Sequence, residues 1–354
     1  MQALPKTQWL EQIATLSGFR DREVLDISLA SALRDLLQPQ RLTVWRCVGQ
    51  SGDERWLMRA ELGLNDMAAR SDPVGTRLED LPPLLSQPER AQCLRQRSVM
   101  QSADLSGGFC IRFPLASDCD LVGVVELHTQ QELTLTEQRM VGSVLRLYGN
   151  VLGLLDYSER DTLTGLLNRK TFDDGFLQMA GLPVSSPGQV DIVPPTASAR
   201  RPVPLRTTWL GVIDIDHFKR VNDSHGHLIG DEVLLLLSRL MRNAFRFDDR
   251  LYRFGGEEFV VLMHCENEAD SMRALERMRG HVQAFDFPRV GKVTVSIGVT
   301  EVRSGDTPSM AFERADQAVY YAKQNGRNQT QDHAKLVAAG CLKDSQRDSD
   351  VEFF

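Results

Sequence analysis

The chain has 354 residues, 42% of them hydrophobic and 25% charged, which gives length and apolar content for two or three packed domains. With 41 basic against 48 acidic side chains the net charge is −7, which argues against nucleic acid as the main partner. Six cysteines (47, 93, 110, 119, 265, 341) form no Cys-x-x-Cys pair, so free thiols in a cytoplasmic protein are expected over a disulfide framework or a zinc site. The N-terminus lacks a secretory apolar core, and no run approaches the roughly 20 apolar residues of a membrane span.

Residues 1 to about 40 read as helical: a first helix over 1–20 carries Trp9, Ile13 and Leu16, and a second apolar series follows at Leu25, Ile27, Leu29, Leu33, Leu36 and Leu37. Leu42-Thr-Val-Trp-Arg-Cys47 predicts a strand closed by turn chemistry at Gly49 and Gly52. Residues 53–108 read as short helical and loop pieces broken at Pro73, Pro82, Pro83 and Pro88. Phe109-Cys-Ile-Arg-Phe-Pro-Leu115 and Leu121-Val-Gly-Val-Val-Glu-Leu127 form a strand pair joined by Ala116-Ser-Asp-Cys-Asp120. This order of elements over 21–133, ahead of a long helix, resembles a GAF sensor domain. The resemblance implies an α/β domain that takes a small-molecule or protein partner; a dimerisation scaffold that binds nothing fits the same order.

Thr134-Leu-Thr-Glu137 has the spacing of a capping box and predicts a connecting helix over 134–158. Val141, Val144, Tyr148, Val151 and Leu155 make one stripe, which Leu145, Leu147, Leu152 and Leu154 widen. So wide an apolar arc suits packing on the helix's own domain, while its position between two domains suits a signalling stalk that pairs with a second copy. Asp161-Thr-Leu-Thr-Gly-Leu-Leu-Asn-Arg169 then opens a second domain over 159–335, with a helix to about Ala180. Pro183, Pro187, Pro194, Pro195, Pro202 and Pro204 mark 183–206 as an extended, flexible insertion.

Trp209-Leu-Gly-Val-Ile-Asp-Ile-Asp216 reads as a buried strand that ends in two carboxylates on one face. A helix is predicted from Gly230 to Leu240, with Asp231 in its first turn. In Arg250-Leu-Tyr-Arg-Phe-Gly-Gly-Glu-Glu-Phe259, two glycines between strand-like runs signal a hairpin that lifts Glu257 and Glu258 to a sheet rim. A hairpin tip with two solvated acids is the plain reading of that stretch alone. Two acidic strand ends in one domain, however, make an oxygen-rich pocket suited to Mg²⁺ and substrate phosphates. A helix over 266–286, a strand over 292–300 and a helix over 312–323 complete β-α-β-β-α-β plus a helix, a ferredoxin-like α+β pattern. Residues 336–354 read as a disordered tail. His225-Gly-His227 lacks the further ligands of a metal site, and no Gly-x-x-x-x-Gly-Lys-Ser/Thr loop is present.

Asp214-Ile-Asp-His-Phe-Lys-Arg-Val-Asn-Asp-Ser-His-Gly-His-Leu-Ile-Gly-Asp231, Gly255-Gly-Glu-Glu-Phe259, Tyr321-Ala-Lys-Gln-Asn-Gly-Arg-Asn328 and the 161–169 motif together resemble the GGDEF family of diguanylate cyclases. The resemblance implies a palm-like domain that condenses two GTP into cyclic di-GMP and two pyrophosphates, as a homodimer, with Mg²⁺ (Mn²⁺ as an alternative). By the same resemblance Asp214, the carbonyl of Ile215 and Glu257 hold metal, Asp216 supports, and Glu257 or Glu258 activates the ribose 3′-hydroxyl. Asn222 and Asp231 match guanine-reading positions; Lys219, the backbone of Phe218, Lys323 and Arg327 match phosphate-contacting ones. Arg246-Phe-Asp-Asp249 matches an inhibitory product site, with Arg253 as a further member; a surface ion pair would give the same four residues. A non-catalytic receptor for GTP or cyclic di-GMP is the competing reading, and a partner-binding N-terminal sensor with the cyclase as output is a third. The insertion at 183–206 departs from the family pattern.

Overall fold

The computed structural model describes residues 22–49, 52–73, 76, 78–104, 107–116, 121–181 and 207–343, so the predicted helix over 1–20, the 183–206 insertion and most of the predicted tail lie outside the described residues. The chain divides into Met1–Ser158 and Glu159–Phe354. No helix among the described residues is long and apolar enough to cross a membrane.

The first unit holds a five-stranded antiparallel sheet in the order β2-β1-β5-β4-β3, from β1 (Arg41–Val48), β2 (Arg55–Gly63), β3 (Met100–Ala103), β4 (Phe109–Ala116) and β5 (Leu121–Thr129). The register brings Val44, Val125 and Phe113 side by side on one face, under α1 (Arg22–Leu37) and α3 (Leu135–Glu159). Asp26 of α1 joins those two helices, accepting the Tyr148 hydroxyl of α3 while Arg46 pairs with it at 2.8 Å. The opposite face aligns Thr43, Glu126 and Arg112 and is covered by α2 (Pro88–Gln96) with Trp56, Cys93 and Leu94.

Three local expectations change here. β2 occupies part of the 53–108 stretch read as helix and loop, because Arg55, Arg59 and Glu61 interrupt the apolar pattern that β1 completes by pairing. Pro88 does not break a helix but opens α2 at its first position, where the missing N–H would have no partner anyway. Along α3, Leu145 and Leu152 are buried with the first stripe, whereas Leu154 stands 70% exposed, so the second stripe splits between two faces. The capping box forms as its spacing predicts: Glu137 accepts the Thr134 N–H at 2.8 Å and donates its own N–H to Thr134 Oγ1 at 3.2 Å.

The second unit is a six-stranded sheet in the order β11-β10-β7-β9-β8-β6. Its central four strands, β7 (Thr207–Ile215), β8 (Arg250–Gly255), β9 (Glu258–Cys265) and β10 (Val295–Glu301), are mutually antiparallel, as a β-α-β-β-α-β unit requires. Short β6 (Leu167–Asn168) and β11 (Thr330–Asp332) run parallel to β8 and β10 at the two edges. One face packs Ile213, Phe259 and Val261 on α6 (His227–Ala244) and α7 (Glu268–Ala284), which α5 (Phe218–His225) precedes. The other packs Leu210, Val212 and Val260 on α4 (Phe172–Met179) and α8 (Pro308–Gln324). Residues 336–338, read as tail, instead end a helix α9 (His333–Ala338), whose N-terminus Asp332 caps through the Lys335 N–H.

Candidate active site

Because helices cover both faces of β7, nearly every residue from Thr208 to Ile215 is buried, and the strand delivers its C-terminal carboxylates to the sheet rim already dehydrated. Asp214 shares the α8 side with Leu210 and Val212, so Lys323, in the last turn of α8, reaches it: Nζ stands 2.7 Å from Oδ1. The hairpin between β8 and β9 brings two more acids to the same place. Its link is Gly256-Glu257, with Gly256 at φ +50°, a conformation that a side chain would strain. Glu258 pairs directly opposite Asp214, and the Glu257 carbonyl accepts the Ile215 N–H at 3.4 Å.

Burial pushes the Asp214 carboxyl up to about 6; Lys323 works against the rise and Glu257 and Glu258 add to it. Burial also raises Glu257, with Lys323 opposing and Glu258 reinforcing. Three carboxylates and one ammonium leave a rim that favours a cation. Ile215 has its side chain in the core, so it can face this rim only through its main chain.

Asp216 does something else. Its Oδ1 accepts the Ser296 hydroxyl at 2.7 Å, and its Oδ2 accepts the Thr294 hydroxyl at 2.7 Å and the Asn328 N–H at 3.0 Å. The carboxylate is spent on holding the turn after α8, where Arg327 and Asn328 stand at φ +60° and +46°. Consecutive left-handed residues that are not glycine persist only when their surroundings hold them.

Directly beyond the C-terminal end of β7, His217 at φ +59° turns the chain into α5. Phe218 is buried at the head of that helix and Lys219 is exposed beside it. Asn222 is half-buried, and Asp231 is exposed. α6 begins at His227, three residues before the predicted start, so Asp231 lies in its second turn and gains little from the helix dipole. His225 and His227 flank the break between α5 and α6.

Arg253 has partners of its own in the second unit. Its guanidinium binds Asp161 at 3.0 Å and the Gly256 carbonyl at 3.0 Å, tying the 161–169 motif to the glutamate turn. Asp161 also accepts the N–H and hydroxyl of Thr164, which with Arg253 outweighs burial and lowers its carboxyl. Asp249 closes a tight turn by accepting the Arg246 N–H at 2.8 Å, and burial raises it to about 7 against the pull of Arg246 and Arg277. Arg277 donates to the Ala244 carbonyl at 2.5 Å. It lies 28 positions beyond Asp249 on α7, a separation that leaves no local signal in the sequence.

Residues 205–329 match the family model of the diguanylate cyclase GGDEF domain. The second unit contains a GGDEF domain. The diguanylate cyclase DgcP of Pseudomonas aeruginosa is 34% identical over 252 residues, 66% of this chain and 34% of that protein. The response regulator PleD of Caulobacter vibrioides is 46% identical over 123 residues, 33% of this chain and 27% of that protein. The chain thus spans about a third or less of the length of these curated relatives. Among solved structures, the GGDEF domain of DgcB from Caulobacter crescentus in complex with c-di-GMP is 30% identical, over 50% of this chain and 96% of that one, with a TM-score of 0.42.

Proposed function

We propose that the chain is a diguanylate cyclase that condenses two GTP into cyclic di-GMP and two pyrophosphates. The observation that carries this reading is the convergence of Asp214, Glu257 and Glu258 on one rim beside Lys323, inside the stretch that matches the GGDEF family. Mg²⁺ is ordinarily held by one or two carboxylates together with substrate phosphates, not by a cage made of protein alone. The rim suits that pattern: among the described residues no three acidic, His or Cys side chains form a metal cage, yet a dehydrated carboxylate sits beside two others. Asp214, Glu257 and the Ile215 carbonyl would hold the ion, Mg²⁺ or Mn²⁺, which when bound neutralises charge on the phosphates.

In each of two successive transfers, the ribose 3′-oxygen of one GTP bonds to the α-phosphorus of the other, the bond to pyrophosphate breaks, and the hydroxyl proton leaves to a base. Glu257 or Glu258 takes that proton, and the upward shift of Glu257 brings it closer to the working pH of a general base. Asn222 and Asp231 read guanine, while Lys219, the Phe218 main chain, Arg327 and Lys323 serve the phosphates. Asp216 presents Arg327 and binds no metal itself, which its three donors support. Each domain holds one GTP, so the reaction takes place between two copies, with α3 leading into each catalytic unit. The N-terminal sheet and its helices act as a GAF-like sensor. Product returns to Arg246 and Asp249, with Arg253 as a further member and Arg277 acting on Asp249.

The test is purified protein with GTP and Mg²⁺, assayed for cyclic di-GMP by chromatography beside Glu257→Ala/Glu258→Ala. Product from the wild type and a fall of at least about 10³-fold in the variant are expected, since metal and base positions are lost together. Nucleotide binding without product at any protein concentration would replace the enzyme by a receptor.

A further inference from the structure

Asn222 has no side-chain hydrogen bond among the described residues that would fix its amide; what surrounds it is packing. The notch it occupies is made by Gly230, the fourth residue of α6 and itself buried. A Cβ on residue 230 would overlap Asn222 Oδ1, and would stand 3.1 Å from Asn222 Cγ and 3.3 Å from Cζ of Phe218. The Phe218 ring belongs to the core and cannot yield, so the amide would have to move. Gly230 is helical, at φ below zero, and no backbone constraint calls for glycine there. A glycine inside a helix is unfavourable relative to alanine, and this one gives up that advantage for space.

We propose that Gly230 is a positioning residue for base recognition: the absence of its side chain seats the Asn222 amide between α5 and α6, next to Asp231. The proposal rests on the reading of Asn222 as a guanine-contacting group. It predicts that a single methyl at residue 230 acts through the base and not through the phosphates, because Lys219, Lys323 and Arg327 are untouched by the overlap.

The experiment is equilibrium binding of a fluorescent GTP analogue with Mg²⁺ to the full chain, for Gly230→Ala, Asn222→Ala and the double variant, with inorganic triphosphate as competitor and thermal melting of each. Each single variant should lose GTP affinity roughly 5- to 100-fold, the range of one lost buried polar contact. The double variant should lose no more than either single one, since residues that act through one contact do not add. Triphosphate should bind all four proteins equally. Melting gives a second readout: any fall caused by Gly230→Ala should be recovered in the double variant, where the overlapping atoms are gone. Wild-type GTP affinity in Gly230→Ala beside a loss in Asn222→Ala would overturn the positioning role alone. Losses that multiply in the double variant, or melting that is not recovered, would do the same. Wild-type affinity in Asn222→Ala would overturn the guanine assignment, and the proposal with it.

Discussion

Glu126 in the N-terminal sheet and Asp214 in the C-terminal sheet are both 5% exposed, and their surroundings treat them in opposite ways. Burial alone would raise Glu126, yet its carboxyl is lowered, because Arg90 at 2.7 Å and Arg112 at 2.9 Å more than offset the lost water. Trp45 donates to it at 2.9 Å, and the Arg90 guanidinium lies 3.8 Å over the Trp45 ring and 5.1 Å from that of Trp56. Asp214 has one lysine and two acidic neighbours, and burial prevails. The first carboxylate is a finished piece of architecture. The second is held in deficit, and a deficit of positive charge at a rim is what a bound divalent cation would fill.

The contrast is sharpest in stability. Glu126→Gln leaves two buried guanidiniums uncompensated and should destabilise the N-terminal unit by about 3–5 kcal/mol; urea unfolding followed by tryptophan fluorescence reads this directly, since Trp45 and Trp56 flank the cluster. A loss under about 1 kcal/mol would show that the network is not a unit. Asp214→Asn should act the other way and stabilise the ligand-free protein at pH 7.5 by about 1–2 kcal/mol, part of what a carboxyl raised to about 6 by burial implies. The sign follows from proton uptake: between roughly pH 4, the unfolded value, and 6, the folded one, the native state binds more protons than the unfolded one. Stability linked to Asp214 is therefore present at acid pH and lost as pH rises through 6. The advantage of the asparagine variant should accordingly disappear near pH 4; an advantage independent of pH would point to packing instead of charge. Smallest of all, Thr134→Ala removes a helix cap whose contact is Glu137 and should cost about 1 kcal/mol with no effect on Mg²⁺ or GTP binding.

The acidic rim was legible in the sequence because its parts are local: a strand that ends in Asp214, and glycines that can only turn before Glu257. What those residues touch was not. Asp216 sits two positions from Asp214 on the same strand, and only the arrival of Ser296, Thr294 and Asn328 separates its task from that of its neighbour. Lys323 reads as a phosphate contact, and folding places it on Asp214. Arg253 follows the inhibitory motif closely in sequence, and its guanidinium faces Asp161, 92 positions away. β2 escaped notice for a related reason: a strand whose apolar pattern is interrupted by charge becomes evident only beside the strand it pairs with. Gly230 left no signal at all, since the reason for a missing side chain lies in the residue that fills its space.

The two short edge strands have a practical consequence. The stretch that matches the family ends at residue 329, and β11 begins at Thr330; β6 lies before residue 205. A fragment trimmed to 205–329 would lack both, leaving β8 and β10 with unpaired backbone along their outer sides, the arrangement through which separate molecules join edge to edge and precipitate. The piece to express for biochemistry therefore begins near Glu159 and extends past α9.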